Sequence, residues 1–356
     1  MDIRAEHPAT PAALRELIDR YAPAADAPLP AAGRTLERWR LLARVAHTHG
    51  TVAIKLFESH LDALAILAEL AGARPAASTQ WAVWAAEPPF ATVDARPGPD
   101  IGADTLDALR RDAGLAASQT GPMRAMRTVP VRLSGRKAWC SGAREVSHAL
   151  MTCRDDAGAR RLAIVPIAPG MGAIATDEGW NAVGMARTYS GDVLFHDTPA
   201  LLLGGADAYL DRPGFWHGGA GIAACWYGAV LPFADALRAS LARRADPHVA
   251  AHLGSIDGQL HAAAALLRET AAWIDAHPGE DAMAHALRAR TVIEAAVAHT
   301  LQHAGNALGA GPLCRDARLA ALYADLPVFV RQSHAERDLA ALGTRIAADD
   351  NTGWAL

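Results

Sequence analysis

Cysteine is scarce in this 356-residue chain and scattered where it occurs: Cys140, Cys153, Cys225 and Cys314, with no CxxC pair among them. That spacing excludes a paired-thiolate zinc site, and it argues against a disulfide framework in a chain this long. The expectation is reduced thiols in a cytoplasmic protein. Histidine is plentiful at fifteen, yet no HExxH pair or other ligand box appears, so no metal site is expected. The N-terminus lacks the basic-then-apolar pattern of a secretory leader, and no apolar run reads as long enough to cross a bilayer. A net charge of −4 gives no electrostatic reason for a nucleic acid or an anionic membrane as partner. What remains is an ordinary globular composition, half hydrophobic and a fifth charged, long enough for two or three domains around a large core.

Hydrophobic periodicity divides the chain into three parts. Residues 1–80 are helical: a short pattern from Ala12 to Tyr21, the linker APAADAPLP, then two helices between Arg34 and Ala71 separated by His49-Gly50-Thr51. Residues 81–205 are β-like. WAVWAAEP stops at a double proline, and Val129, Val131 and Leu133 alternate with polar positions. Ser134-Gly135 then offers turn chemistry for a hairpin whose second strand begins near Lys137. HALMTC and RLAIVPI follow as further strands, and a short charged helix, DTLDALRRDAG, lies in residues 89–128. Residues 206–356 hold four apolar-striped blocks at 215–243, 252–276, 280–308 and 315–343, broken at ADPH, HPGED and GAGP. Long helices with short turns pack as an antiparallel four-helix bundle. The fold class is α+β, mainly α: an N-terminal helical domain, a middle β-barrel-like or β-sandwich domain, and the bundle.

The stretch LSGRKAWCSGA, residues 133–143, carries the chemistry. A flavin needs an apolar wall beside its ring and hydrogen-bond donors along its edge. Trp139 offers the wall, the hydroxyl or amide of Ser141 the donor, and Gly142 the close backbone approach. The competing reading makes Trp139 a half-buried strand aromatic and Ser141 a turn cap. Downstream, GMARTYSGDVLFHD places Arg187 and Ser190 in a turn that leads into a strand.

This order of segments resembles the acyl-CoA dehydrogenase superfamily over about two-thirds of the chain. The resemblance implies a flavoprotein oxidoreductase that uses FAD, with FMN as the alternative, acting on a small-molecule acyl substrate, CoA- or carrier-linked. Ala86, Glu87 and Pro88 fall on the Thr-Glu-Pro motif, but the Gly-Ser-Asp loop that follows it in the family is not recognisable. Gln302 and Gly305, followed by Gly309 and Gly311, match the segment that receives the adenine end of FAD from a neighbouring subunit, which implies a homodimer or homotetramer. Arg243 falls on the family's pyrophosphate arginine. The family's catalytic glutamate does not: Tyr323 falls on the preceding tyrosine, Ala324 on the glutamate itself, and Asp325 one residue later. The alternative base position falls near Gly218, beside His217.

Three readings follow. Asp325 replaces the base, giving α,β-dehydrogenation of an acyl thioester with an electron-acceptor flavoprotein as partner. Otherwise the chain resembles the flavin-dependent monooxygenases on the same fold, which use flavin reduced by a flavin reductase; His334 and His217 are then the candidates around the ring. The third reading is a non-catalytic flavin-binding or interaction protein.

Overall fold

The computed structural model describes residues 11–22, 27–115, 128–349 and 354. Helix α1 (Pro11–Tyr21) precedes α2 (Thr35–Ala71), in which Gly50 (φ 85°, ψ −175°) breaks the helical ladder, so the pair of helices expected there joins at this one residue. Then come β1 (Trp81–Trp84), β2 (Val93–Pro97), α3 (Ala103–Asp112), β3 (Val129–Lys137), β4 (His148–Arg154), β5 (Arg160–Pro166), β6 (Ala173–Ala175) and β7 (Val193–Leu203). The rest is helical: α4 (Ala208–Asp211), α5 (Gly214–Arg243), α6 (Pro247–Ala276), α7 (Met283–Leu308), α8 (Ala310–Arg315), α9 (Ala317–Phe329) and α10 (Glu336–Ala347). The described residues pack as two compact units. The first holds the chain up to Ala27, Lys55–Asn181 and Ala186–Phe215; the second holds Pro28–Ile54, Ala182–Met185 and the chain from Trp216 onward.

In the first unit the strands form one sheet in the order β1-β4-β2-β3-β7-β5, and β4 also pairs with β5, so the pairings close on themselves. Its core joins Ile66 and Leu67 of α2, Trp81 of β1, Leu109 of α3, and Leu150, Leu162, Ile164 and Leu201 of the sheet. The expected hairpin at Ser134-Gly135 is not there. β3 runs straight through as a single strand with an irregularity between Leu133 and Gly135, paired on one side with β2 and on the other with β7. A side chain at 135 would meet the Thr92 carbonyl at 2.3 Å, so the glycine marks a close approach of neighbouring backbone and not a reversal. β2 was not foreseen, because VDARP is short and ends in proline; α3 falls on the charged stretch as expected.

Two of the predicted breaks, ADPH and HPGED, separate helices in the second unit, whereas of GAGP only Gly309 interrupts, since Ala310–Arg315 form α8. Asp246 of ADPH caps α6, its carboxylate accepting from the amides of His248 and Val249, with Pro247 at the first helical position. Asp316 caps α9 the same way through the amides of Arg318 and Leu319. The fourth block is not one helix. It divides into α8, α9, a 3-10 turn at Val330–Gln332 and α10, with Ala335 at φ 47° before the last helix. Arg290 of α7 holds that interruption by donating to the Gln332 carbonyl at 2.5 Å. α5 corrects another expectation: by length and composition it would span a bilayer, yet 72 % of its most apolar stretch is buried inside the protein, where Trp226, Phe233 and Leu237 serve as core.

Candidate functional site

In the first unit β3 delivers the chain to a tight turn, and its last residue fixes the approach. Lys137 is 2 % exposed and its Nζ donates to both the carbonyl and Oγ1 of Thr152 at 2.7 Å. Burial pushes its ammonium down to about 8, against the pull of Glu87. Glu87 is ion-paired with Arg154 at 2.5 Å and Arg160 at 3.2 Å. Burial pushes that carboxyl up, but the Thr152 hydroxyl, Arg160 and Lys137 together outweigh it and hold it below the usual range. Glu87 therefore ties strands together, and Ala86 beside it is half-buried.

Residues 138–146 form the turn. The Cys140 amide donates to Gly191 O at 2.9 Å, the Gly142 amide to Thr188 O at 3.0 Å, and the amides of Glu145 and Val146 to Gly142 O at 2.9 and 3.1 Å. The Trp84 indole N–H clamps the turn from β1 by donating to Ser141 O at 3.0 Å. Trp139 sits at φ 58°. A bulky residue in the left-handed region costs on the order of 1–2 kcal/mol and persists only where its surroundings enforce it. Here the amide of Cys140 is held by Gly191 and that of Ser141 by the Trp139 carbonyl at 3.1 Å. The result is an indole 43 % exposed, edge-to-face with Phe90 at a centroid distance of 5.9 Å. Phe90 is itself 68 % exposed. A strained backbone that presents an aromatic face outward is a ready stacking surface for a flat ring.

Ser141 and Gly142 take more local roles. The Ser141 hydroxyl bonds to Ser190 Oγ at 2.7 Å, which bonds to Thr188 Oγ1 at 2.7 Å, a buried chain of three hydroxyls. Its amide lies on the Trp139 carbonyl, so Ser141 takes part in the turn's own hydrogen bonding. Gly142 sits at φ 73°, which favours glycine, and a Cβ there would displace Leu56 Cδ2, 2.7 Å away. Glu145 is a group that sequence reasoning missed. It is 4 % exposed, its Oε2 has no hydrogen-bond partner among the described residues, and burial pushes its carboxyl up to about 7 against a weaker pull from Arg144. The available signal was an acid set beside apolar Val146 in a segment that is otherwise strand-like. Trp84 and Thr188 were missed too, because their partners lie 57 residues away and on a separate turn.

In the second unit Asp325 lies on α9, 6 % exposed. Its Oδ2 accepts from the Thr51 hydroxyl, next to the Gly50 break, and its Oδ1 accepts from the Met185 amide at 2.6 Å. Gly184 packs against the same helix, where a Cβ would lie 2.1 Å from Ala324 O. A general base needs an oxygen that faces a substrate proton; here each oxygen already has a donor. Asp325 is thus engaged by the protein's own donors on both oxygens.

His217 is 2 % exposed on α5, two residues before Gly219, whose carbonyl receives Arg290 Nη1 at 3.1 Å. His334 is exposed and bound to Asp338 through both its amide, at 3.0 Å, and its Nδ1, at 3.3 Å, which makes it part of a charged helix start. Arg243, the last residue of α5, and Gln302 on α7 are exposed, while Gly305 lies under Tyr323, whose hydroxyl would be 3.3 Å from a Cβ there. Thus Trp139, Ser141, Gly142 and Ala86 fall in the first unit, and the other predicted residues in the second.

No family model and no curated protein matches the sequence. Solved structures do match. FkbI, from biosynthesis of the methoxymalonyl extender unit of the polyketide Fk520, aligns with a TM-score of 0.72 at 15 % identity over 94 % of this chain and 93 % of that one. TdsC, a dibenzothiophene monooxygenase from Paenibacillus sp. A11-2 solved with FMN and indole, aligns with a TM-score of 0.67 at 18 % identity over 86 % and 81 %. The methanesulfinate monooxygenase MsuC from Pseudomonas fluorescens aligns with a TM-score of 0.64 at 18 % identity over 95 % and 96 %. The chain has the acyl-CoA dehydrogenase fold. At these identities the likeness is one of fold.

Proposed function

We propose that this protein is a flavin-dependent oxidoreductase of the monooxygenase type, with the flavin ring against Trp139 and the 138–146 turn. One observation favours this over acyl dehydrogenation: Asp325, at the shifted base position, is buried and each of its oxygens already accepts from Thr51 or Met185, an arrangement that suits a structural carboxylate better than one facing an α-proton. The residues present fit a flavin. The Trp139 indole is exposed on a strained backbone, Gly142 takes a left-handed turn conformation without strain, and Glu145 keeps an unsatisfied buried oxygen in the same turn. A bound flavin would supply the two-electron redox chemistry that side chains lack. This chain's residues would wall the ring with indole and hold the turn rigid through the Ser141–Ser190–Thr188 hydroxyls. Arg187 is half-buried and carries no ion pair among the described residues, so its guanidinium suits the flavin's phosphate.

FMN fits better than FAD. The Gly-Ser-Asp phosphate loop is missing from the sequence, and Arg243 and Gln302, the candidates for the adenine half, lie exposed on separate helices. TdsC and KijD3, which share the fold, were solved with FMN. The substrate on this reading is a small molecule, the electron donor a flavin reductase, and the assembly a homo-oligomer. Anaerobic mixing with acyl thioesters tests the reaction class. The flavin band should persist, and product should form with oxygen once a flavin reductase and its reductant are added; bleaching by the thioester alone would restore the dehydrogenase reading.

A substitution tests the wall. Asparagine tolerates the left-handed region, so Trp139→Asn is expected to leave stability unchanged or raise it by up to about 1 kcal/mol while weakening FMN binding at least about tenfold. Thermal melts and fluorescence titration read the two effects separately; a parallel loss of both would make Trp139 an ordinary packing residue.

A further inference from the structure

Glu145 is placed where no sequence motif asks for an acid. Its amide and that of Val146 both close on Gly142 O, so the residue is itself part of the turn it sits in. Its carboxyl folds back over Gly142: Oε2 lies 3.7 Å from the point a Gly142 Cβ would occupy, with Leu56 and Val146 around the same point. That oxygen is buried and has no partner among the described residues. We infer that Glu145 is a positioning residue of the flavin-facing turn, which holds the turn closed in its acid form and releases it on ionisation. The inference rests on the flavin reading above.

The physical asymmetry lies between the two protonation states. A neutral carboxyl tolerates one unsatisfied oxygen at modest cost, whereas a buried carboxylate with one oxygen left without a donor does so at a higher cost. On losing its proton Glu145 must move toward water or draw donors in. Either movement pulls on the two amide bonds to Gly142 O that shape the turn. The groups around it offer little counter-charge, Arg144 alone exerting a weak pull. Leu56 and Val146 are apolar. Arg144 next to it is engaged with Asp177 at 2.6 Å and lies over the Tyr189 ring at 5.4 Å. On α2, the charged neighbours of Leu56, Lys55 and Glu58, lie 4.0 Å from each other. Burial outweighs the weaker pull of Arg144 and of the local backbone amides and raises the carboxyl to about 7. A flavin that takes the closed turn therefore binds the protonated protein, and its apparent affinity falls as the pH passes that point.

The test is FMN affinity by fluorescence titration, for wild type and Glu145→Gln, between about pH 6.5 and about pH 8.5. Glutamine keeps the shape and stays neutral, and the titration of FMN's own phosphate affects both proteins equally. The expected result is a loss of about twentyfold across that range in wild type and less than about threefold in the variant. Should Glu145→Gln fail to fold, Glu145→Met carries the same comparison, since it too cannot ionise. Equal pH profiles in wild type and variant would overturn the role of Glu145 and leave the flavin reading standing. No binding of FMN or FAD by wild type at any pH would overturn both.

Discussion

Asp325→Ala is expected to destabilise the protein by about 3–4 kcal/mol, the largest single effect foreseen outside the hydrophobic core. The substitution strands two buried donors at once, the Thr51 hydroxyl and the Met185 amide, whose residues are 2 % and 3 % exposed. Each orphaned donor costs about 1–3 kcal/mol. Met185 also sits at φ 58°, a conformation that its surroundings must enforce, and the Asp325 carboxylate is one of the groups that do so. Asp325→Asn should fall between, because the amide keeps one acceptor but turns an N–H toward one of the two donors. Denaturation midpoints measure this directly. Thr51→Val should show strong coupling to Asp325→Ala in a double-mutant cycle, since either change alone breaks the same contact. A variant of Asp325 that keeps full stability but loses turnover would return the residue to catalysis.

The second large effect is a pH dependence. The folded-state carboxyl of Glu145 is raised from 4.5 to about 7, so the folded protein holds a proton there that the unfolded chain has released. Its contribution to stability is complete below about pH 4.5 and is lost as the pH rises through about 7. The shift corresponds to about 2–3 kcal/mol. Relative to wild type, Glu145→Gln should therefore gain that much stability between about pH 5 and about pH 8.5, with no flavin present. Unfolding midpoints of both proteins at each pH give the difference, from which the titration of all other groups cancels. A constant difference across the range would show that Glu145 is ionised, or solvated, throughout.

The parts of the fold that were legible in the sequence are those written in local chemistry. Asp246-Pro247 and Asp316 announce helix starts because capping needs only a short acceptor next to free amides. His49-Gly50-Thr51 announces the break in α2 because glycine alone takes φ 85° without strain. What failed needed distant partners. Ser134-Gly135 reads as a turn, but the two strands that flank β3 come from residues 93–97 and 193–203, and they turn the glycine into a close-approach site. The last helical block reads as continuous until Arg290, some forty residues earlier, takes up the Gln332 carbonyl. In the 138–146 turn the exposed aromatic at 139 and the glycine at 142 could be singled out from residue type, while the burial of Glu145 could not, because an acid in a loop looks solvated until Leu56 and Gly142 close over it. Asp325 shows the converse: its place beside Tyr323 suggested chemistry, while its contacts with Thr51 and Met185, 274 and 140 residues away, could not be read from the sequence.

The central claim, that the 138–146 turn receives a flavin ring, is tested most directly by titrating the purified protein with FMN and with FAD at about pH 6.5, beside Trp139→Asn. The expected result is saturable quenching of flavin fluorescence by wild type, tighter for FMN, and at least about tenfold weaker binding by the folded variant. Flavin fluorescence unchanged by wild type, or quenched equally by Trp139→Asn, would contradict it.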